Sequence, residues 1–353
     1  MPEAGHRRYR VVQWATGNIG RRALREILRH PSLELVGVRV FDASKSGVDA
    51  GALCGEGAAG VVATTDREAV LALDADCAVY MPRAADLDDV TALLASGTNV
   101  VTTCADLYDG GHRLRAADRT RVLDACTRGG TSLFATGSSP GFITDALPFA
   151  LLSLQRRVDS IEIEEFADLS RRDSPHLLFQ QMKFGQPLAA YDASRASHLL
   201  GAFGPALGTL AEAAGRPVDD WSCTSEAAAA RRTTMLAAGE LPAGTIGAQR
   251  TTVVGRSGGA NVVRFTASWY CTADVEPAWD LRPTGWRVRV RGDAPLDVDL
   301  PFPIPLDELG AFTPAYTANR PVNAIPFVCD AAPGILSPRD LPPLVPAGPR
   351  RGS

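Results

Sequence analysis

The chain has 353 residues, of which 45% are hydrophobic and 22% are charged, and its formal net charge is −4 at pH 7. This composition is typical of a globular protein with a large core, and the length favours two domains. Weak negative charge and the lack of a membrane-length apolar run argue against nucleic acid or membrane partners, so we expect a small-molecule substrate. The seven cysteines include no Cys-x-x-Cys pair, which predicts reduced thiols in a cytoplasmic protein without a metal site.

The first predicted unit is a strand, a turn and a helix within residues 9–30. Val11–Val12 reads as a buried strand, and apolar residues at helical spacing follow from Ala23 to Leu28. Gly17 is expected to adopt a backbone conformation closed to other residues, and Gly20 to let the helix pack close to the strand. The free N–H groups at the start of the helix would then bind a pyrophosphate.

This turn matches a dinucleotide-binding fingerprint only in part. Trp14 or Ala15 stands where the first of three glycines is expected, so a tight turn without a ligand remains the alternative. The predicted pyrophosphate-binding residues are Ala15, Thr16, Gly17, Asn18, Ile19 and Gly20.

The end of the second predicted strand, Leu33–Val40, bears on the choice of cofactor. In a dinucleotide-binding fold this end meets the adenosine ribose. An acidic side chain there favours NAD, whereas basic or hydroxyl groups accept the 2′-phosphate of NADP. The segment offers Asp42 on one side and Arg39, Ser44 and Lys45 on the other. We expect NADP or NAD, with a slight preference for NADP.

Strands and helices then alternate in the sequence. Further strands are predicted at residues 60–64, 77–82, 99–103 and 132–136, and helices at 67–73, 87–96 and 115–127. This alternation predicts an α/β fold, a Rossmann-type doubly wound parallel sheet with a ligand crevice at the carboxyl ends of its strands. Met81, Pro82, Thr103 and Cys104 lie at such ends and are predicted to line the nicotinamide ribose.

The pattern changes at Ala146. A helix is predicted at 146–155, a strand at 159–166 and helices up to about Leu236, followed by strands at 249–254, 262–272 and 285–292. This segregation predicts a C-terminal α+β domain for substrate binding and dimerisation over residues 146–317. The dinucleotide-binding domain would comprise residues 1–145, with 318–345 packing back onto it.

Three stretches carry a resemblance to a known family. The opening Val-Val-Gln-Trp-Ala-Thr-Gly-Asn-Ile-Gly, the turn Thr136–Phe142 and the run Val322–Pro326 resemble the dihydrodipicolinate reductase-like oxidoreductases. The nearest branch contains 2,4-diaminopentanoate dehydrogenase and the NAD(P)H-dependent amine dehydrogenases, and Lys45–Gly51 is similar to its actinobacterial members. The resemblance implies a homodimer, hydride transfer at a C=N or C=O carbon, and Asn323 on the nicotinamide side.

One departure from the amine dehydrogenases affects the chemistry. They resemble this chain after the fifth strand but carry a glutamate there, whereas this chain reads Thr-Cys-Ala105-Asp106-Leu-Tyr108. Either Asp106 replaces the glutamate, or Ala105 stands at its position and marks its loss. Asp106 is the nearest carboxylate and the predicted proton-transfer residue, and Tyr108 is a second catalytic candidate. The alternatives are that Asp106 caps a helix and that Tyr108 is an aromatic residue of the loop without a catalytic role. Glu165 is a third catalytic candidate, because strand alternation places it on an apolar face; the favoured alternative is a strand end that faces water.

The sequence therefore predicts an NAD(P)H-dependent oxidoreductase that resembles the amine dehydrogenases and acts on a small substrate. A ketone or aldehyde reductase that does not use ammonia is one alternative. A non-catalytic dinucleotide sensor is the other, because the family glutamate is missing.

Overall fold

The computed structural model describes residues 7–346, apart from the side chains of Asp109 and Arg195. The chain forms two compact units. Unit 1 contains the described residues up to Phe142 and from Thr313 onward, and unit 2 runs from Ile143 to Phe312. No helix within residues 7–346 is long and apolar enough to cross a bilayer.

Unit 1 is built on a seven-stranded sheet in which every neighbouring pair is parallel. Its strands are β1 (Tyr9–Trp14), β2 (Leu33–Arg39), β3 (Ala63–Thr64), β4 (Cys77–Tyr80), β5 (Asn99–Thr102), β6 (Ser132–Ala135) and β16 (Gly334–Leu336). The strand order is β16-β6-β5-β4-β1-β2-β3. The order reverses between β1 and β4, which is where ligands bind in open α/β sheets.

Helices cover both faces of this sheet. They are α1 (Gly20–Arg29), α2 (Ala50–Cys54), α3 (Arg67–Leu71), α4 (Leu87–Ala95), α5 (Tyr108–Gly111), α6 (Ala116–Gly129) and α9 (Leu309–Cys329), which begins in unit 2. On one face Leu24 and Ile27 of α1 join Val322 and Ile325 of α9 in a single core. The other core contains α4 and α6. Because both faces are buried, the central strands are almost continuously apolar.

Unit 2 contains a mixed seven-stranded sheet and a short hairpin. The elements are α7 (Leu147–Leu152), β7 (Val158–Asp168), α8 (Ala196–Ala213), β8 (Asp220–Ala230), β9 (Thr234–Leu236), β10 (Gly239–Leu241), β11 (Ile246–Ser257), β12 (Ala260–Tyr270), β13 (Val275–Glu276), β14 (Gly285–Gly292) and β15 (Leu296–Pro301). The sheet order is β13-β8-β11-β12-β7-β14-β15, and only β12 and β7 are parallel. Phe203 and Leu207 of α8 pack on one face. The two architectures confirm the predicted fold class.

Several predicted elements in the second half are wrong. Helices were expected up to about Leu236, but α8 ends at Ala213 and the alanine-rich run Ala227–Ala230 lies in β8. Alanine has the highest intrinsic helix propensity, but tertiary context commonly overrides propensity, and here β8 pairs with β11 along most of its length. The expected helix at 146–155 is present as the shorter α7, Leu147–Leu152, which follows a π-helical turn at Phe142–Ala146. The edge strands β15 and β16 were not predicted.

Candidate active site

The turn after β1 is held in a strained conformation by its neighbours. Ala15 has a φ of +74°, in the left-handed region that residues with a side chain rarely adopt. Its N–H donates to the carbonyl of Arg39 at 2.9 Å, and its own carbonyl accepts from the buried Gln13 amide at 2.8 Å. Ala15 therefore occupies the place of the first fingerprint glycine. The left-handed role expected of Gly17 is wrong, because its φ lies outside that region.

The two glycines of the turn have different roles. A Cβ on Gly20 would lie 2.2 Å from the carbonyl oxygen of Ala15, so only glycine lets α1 start this close to the turn. A Cβ on Gly17 would meet nothing within 4 Å, so this side of the turn is open. No side chain at Ile19 caps the helix, and the Lys45 ammonium donates to the Thr16 carbonyl at 3.2 Å. An open glycine turn, an uncapped helix start and a cation together fit a pyrophosphate.

The residues at the adenosine end are arranged around Arg39. Its guanidinium carbon lies 4.7 Å from the ring centroid of Phe41, which is 58% exposed, and 5.9 Å from that of the buried Trp14. Asp42 accepts hydrogen bonds from the hydroxyl and the N–H of Ser44, at 2.7 and 2.9 Å, and these bonds lower the pKa of its carboxyl group. Asp42 thus caps a 3₁₀ turn, Ala43–Lys45. The sequence pattern did not indicate a role for Phe41.

Asp49 organises the loop that follows. Its carboxylate accepts from the N–H groups of Gly51, Ala59 and Gly60 at 2.8 to 3.0 Å. The bond from Ala59 is the largest of several that lower the pKa of this carboxyl group. Three N–H donors from two segments converge on one side chain, so Asp49 ties the start of α2 to the chain before β3.

The ends of β4 and β5 meet through two contacts. The hydroxyl of Thr103 donates to the sulfur of Met81 at 3.2 Å, and the thiol of Cys104 donates to the carbonyl of Pro82 at 3.3 Å. Burial raises the pKa of Cys104 to about 11, which keeps the thiol neutral at physiological pH. The structure therefore brings together the four residues predicted near the nicotinamide ribose.

The two acid–base candidates after β5 have different surroundings. Asp106 is exposed, and its carboxylate lies 3.8 Å from the guanidinium of Arg113. Tyr108 is buried, and its hydroxyl donates to the carbonyl of Pro140 at 3.1 Å. Ala105 begins a 3₁₀ turn that ends at Leu107. The tyrosine thus supports the loop after β6, whereas the aspartate projects to the surface of unit 1.

That loop is also bound to α9. The Arg320 guanidinium donates to the Thr136 hydroxyl at 2.7 Å, and the hydroxyls of Ser138 and Thr317 are 2.7 Å apart. Asn323 lies one helical turn beyond Arg320 and is half-buried. Arg320 and Thr317 were not singled out from the sequence, because their partners lie nearly 200 residues earlier in the chain.

Glu165 belongs to unit 2 and is held by two tryptophans. The indole N–H of Trp269 donates to one carboxylate oxygen and that of Trp286 to the other, each at 3.1 Å. The predicted site residues therefore fall into two sets, one in unit 1 and Glu165 in unit 2. Within the described part of the chain, no cluster of three or more His, Cys, Asp or Glu side chains could hold a metal ion.

Comparisons with known proteins extend these observations. No protein-family model matches the chain. An amine dehydrogenase of Streptomyces virginiae is 35% identical over 349 residues, which cover 94% of this chain and 96% of that protein. The structure of an amine dehydrogenase from Mycobacterium smegmatis aligns with a TM-score of 0.74 at 19% identity, over 97% of this chain and 98% of that one. A probable dehydrogenase of Thermotoga maritima aligns with a TM-score of 0.57 at 14% identity, over 94% and 92%.

A parallel sheet with a glycine turn at its first strand, joined to a mixed-sheet unit, defines a dinucleotide-binding oxidoreductase. The chain belongs to the amine dehydrogenase family. The predicted oxidoreductase function, dependent on a nicotinamide dinucleotide, is confirmed at this level. The finer assignment to a dihydrodipicolinate reductase-like branch with 2,4-diaminopentanoate dehydrogenase stays a prediction.

Proposed function

We propose that this protein is an NADP-preferring amine dehydrogenase that converts a small amine, water and NADP+ to the corresponding carbonyl compound, ammonia, NADPH and a proton, and that catalyses the reverse reaction. The observation that carries the proposal is the whole-length relationship to an amine dehydrogenase. The glycine turn, the uncapped start of α1 and Lys45 support the dinucleotide requirement. Turnover of a panel of aliphatic amines with NADP and with NAD, and of carbonyl compounds with and without ammonia, tests it directly.

Residues of unit 1 would hold the cofactor. Gly17, Gly20 and the start of α1 would bind the pyrophosphate, and Met81 and Thr103 would contact the nicotinamide ribose. The bound nicotinamide would accept or donate the hydride, while the protein orients the ring. The neutral Cys104 thiol would contribute packing at this end of the sheet, since burial keeps it protonated.

The preference for NADP rests on the charges beside the turn. Lys45 and Arg39 are cations near the adenosine end, and Asp42 is engaged by Ser44. Titration of nicotinamide fluorescence should give at least about tenfold tighter binding of NADPH than of NADH. Lys45→Ala should weaken NADPH more than NADH, and Lys183→Ala in unit 2 is the matched control. Equal affinities in the unaltered protein would contradict the preference.

Asp106 is the proposed proton-transfer residue, since it is the carboxylate nearest to the place of the family glutamate. Asp106→Asn should lower kcat about 100-fold or more and flatten the pH profile of kcat. Asp88→Asn, another exposed aspartate that pairs with an arginine, serves as the control. A kcat of Asp106→Asn within twofold of the control would remove Asp106 from the mechanism.

A carbonyl reductase that does not require ammonia is the second candidate function. It is favoured by Ala105 at the position proposed for the glutamate, together with the exposed setting of Asp106. Ketone or aldehyde reduction without ammonia would support it. Creation or an increase of amine activity in Ala105→Glu would indicate that a catalytic acid has been lost.

We propose that the chain forms a homodimer through the face of the unit 2 sheet opposite α8. This face lines a groove of about 880 Å³ and mixes carboxylates such as Glu164 with cations such as Arg250 and Arg264, a pattern that a second copy can complement. Thr252→Arg at its centre should give monomers in light scattering, whereas Thr127→Arg on α6 should not.

The roles of the two domains stay predictions, and so does the cytoplasmic location. All seven cysteines are free thiols.

A further inference from the structure

Two cysteines of unit 1 lie side by side at the amino end of β4. Cys77 is the first residue of that strand, and Cys329 is the last residue of α9. The sulfur of Cys329 lies 3.7 Å from the carbonyl oxygen of Asp76, the residue directly before Cys77. Burial raises the pKa of the Cys77 thiol, and a hydrogen bond with the Cys329 side chain raises it further. The two thiols are therefore in direct contact, although 251 residues separate them in the sequence.

The backbone around this pair is held by contacts to the start of the chain. Asp76 and Asp330 are the direct sequence neighbours of the two cysteines. The Arg7 guanidinium lies 3.1 Å from the carboxylate of Asp76 and 3.2 Å from that of Asp330. The buried Tyr9 of β1 also donates its hydroxyl to Asp330, at 3.1 Å. These contacts hold the end of α9 against the amino end of β4, so the two sulfur atoms stay close together.

The two thiols differ in their access to solvent. Cys77 is fully buried, whereas Cys329 is half-buried. A dissolved oxidant therefore reaches Cys329 first. The oxidised sulfur would then lie against the thiol of Cys77, which is the arrangement of a redox-sensitive cysteine beside a resolving cysteine. Cys223 is the other half-buried cysteine, and it belongs to unit 2.

We propose that Cys77 and Cys329 form a reversible disulfide when the protein meets hydrogen peroxide. In the first step the Cys329 sulfur attacks the O–O bond and becomes a sulfenic acid, and one water molecule leaves. In the second step the Cys77 sulfur forms the S–S bond and displaces the hydroxyl group, which leaves as water with the proton of Cys77. The peroxide is thereby reduced to two water molecules, and the two thiols supply the two electrons. An added dithiol reverses the change.

Such a bond would join the two separate parts of the chain that build unit 1. β4 belongs to the part before unit 2, and the end of α9 belongs to the part after it. Because α9 also donates from Arg320 to Thr136, the bond would secure the helix that holds the loop after β6. The disulfide would close a loop of about 250 residues and so restrict the unfolded chain, which should raise the Tm of the oxidised protein.

Oxidation of the full chain with a small excess of hydrogen peroxide tests the proposal. Free thiols are counted with a chromogenic disulfide reagent after denaturation, and each molecule should lose two of its seven thiols and regain them in dithiothreitol. Mass spectrometry of a non-reduced digest should find Cys77 and Cys329 in one crosslinked pair of peptides. The Tm of the oxidised protein should exceed that of the reduced protein by about 5 °C or more.

Three variants show which thiols react. Cys329→Ser should lose no thiol at the same peroxide dose and should keep its Tm. Cys77→Ala should form no crosslink and should leave a sulfenic acid at Cys329 that dimedone labels. Cys223→Ser is the matched control, because it removes the other half-buried thiol, and it should form the crosslink as the unaltered protein does.

Retention of all seven thiols would overturn the proposal. A loss that maps to Cys223, a bond between two molecules, or a sulfinic acid at Cys329 without a crosslink would overturn it as well. If Cys77→Ala does not fold, Cys329→Ser decides, since its site is half-buried and tolerates a polar side chain; a Tm that peroxide still raises in this variant would place the stabilising bond elsewhere.

Discussion

Replacing Ala15 by glycine should stabilise the protein, whereas replacing an alanine inside a helix or strand by glycine usually destabilises it. The φ of +74° places Ala15 in the left-handed region, where a Cβ crowds the following carbonyl group at a cost of about 1–2 kcal/mol. Glycine relieves this strain but makes the unfolded chain more flexible, at a cost of about 0.5–1 kcal/mol. The net gain in the free energy of unfolding should be between roughly 0 and 1.5 kcal/mol.

Thermal unfolding measures this difference. For a unit of this size, 1 kcal/mol shifts Tm by roughly 2–4 °C, so Ala15→Gly should raise Tm by up to about 6 °C. Ala92→Gly, inside α4, is the matched control and should lower Tm, because glycine destabilises a helix interior by about 1 kcal/mol. Affinity for NADPH should change less than about threefold in Ala15→Gly, since the turn keeps its shape.

A decrease in Tm of Ala15→Gly equal to that of Ala92→Gly would refute the reasoning. It would mean that Ala15 carries no strain and that the turn is not held as described. A higher Tm together with lost NADPH binding would refute a different step, the assignment of this turn to the pyrophosphate.

Four further substitutions test the roles of individual residues in stability and in binding. Gly20→Ala should lower both Tm and NADPH affinity, since its Cβ would clash with the carbonyl of Ala15. Gly17→Ala should leave Tm unchanged and weaken only NADPH binding, because its Cβ meets open space. Unfolding scans measure Tm and fluorescence titrations measure the affinity, and equal losses of both in Gly17→Ala would contradict this account. Tyr108→Phe should lower the free energy of unfolding by about 1 kcal/mol, because it removes the hydrogen bond to the Pro140 carbonyl. A tenfold lower kcat of the folded variant would instead indicate that the Tyr108 hydroxyl takes part in catalysis. Asp49 has a lowered pKa in the folded state, so its stabilising effect is present above the unfolded-state pKa and is lost as the pH falls through the folded-state pKa. Asp49→Asn should therefore lower Tm at pH 7 and reduce the loss of Tm as the pH falls below about 4. Parallel acid titrations of both proteins would contradict this account.

Local pattern predicted much of unit 1. The strand, glycine turn and helix at its start follow from short-range periodicity and from the steric needs of Gly20, and the alternation after it specifies a parallel sheet. Unit 2 was harder to predict, because its strands are held by partners far away in the chain. The alanine run in β8 becomes a strand only through its register with β11, and no local signal reveals that register.

The candidate site divides in the same way. Residue type and position at strand ends identified Lys45, Met81 and Cys104, since carboxyl ends of parallel strands converge at one edge of a sheet. The partners of those residues were not predictable. Asp42 was predicted as a possible ribose ligand, whereas in the structure it accepts from Ser44 and caps a 3₁₀ turn. Arg320 donates to Thr136, which lies far away in the sequence.

The sequence by itself determined the class of the fold and the location of the glycine turn after the first strand, because hydrophobic periodicity and glycine sterics act over a few residues. Only the tertiary structure decided that Ala15 is the strained residue of that turn, that Tyr108 supports the loop after β6, and that the Glu165 side chain accepts hydrogen bonds from two indoles. These features depend on which distant backbone and side-chain donors the fold brings within hydrogen-bonding distance, and that information is not contained in any local stretch of the chain.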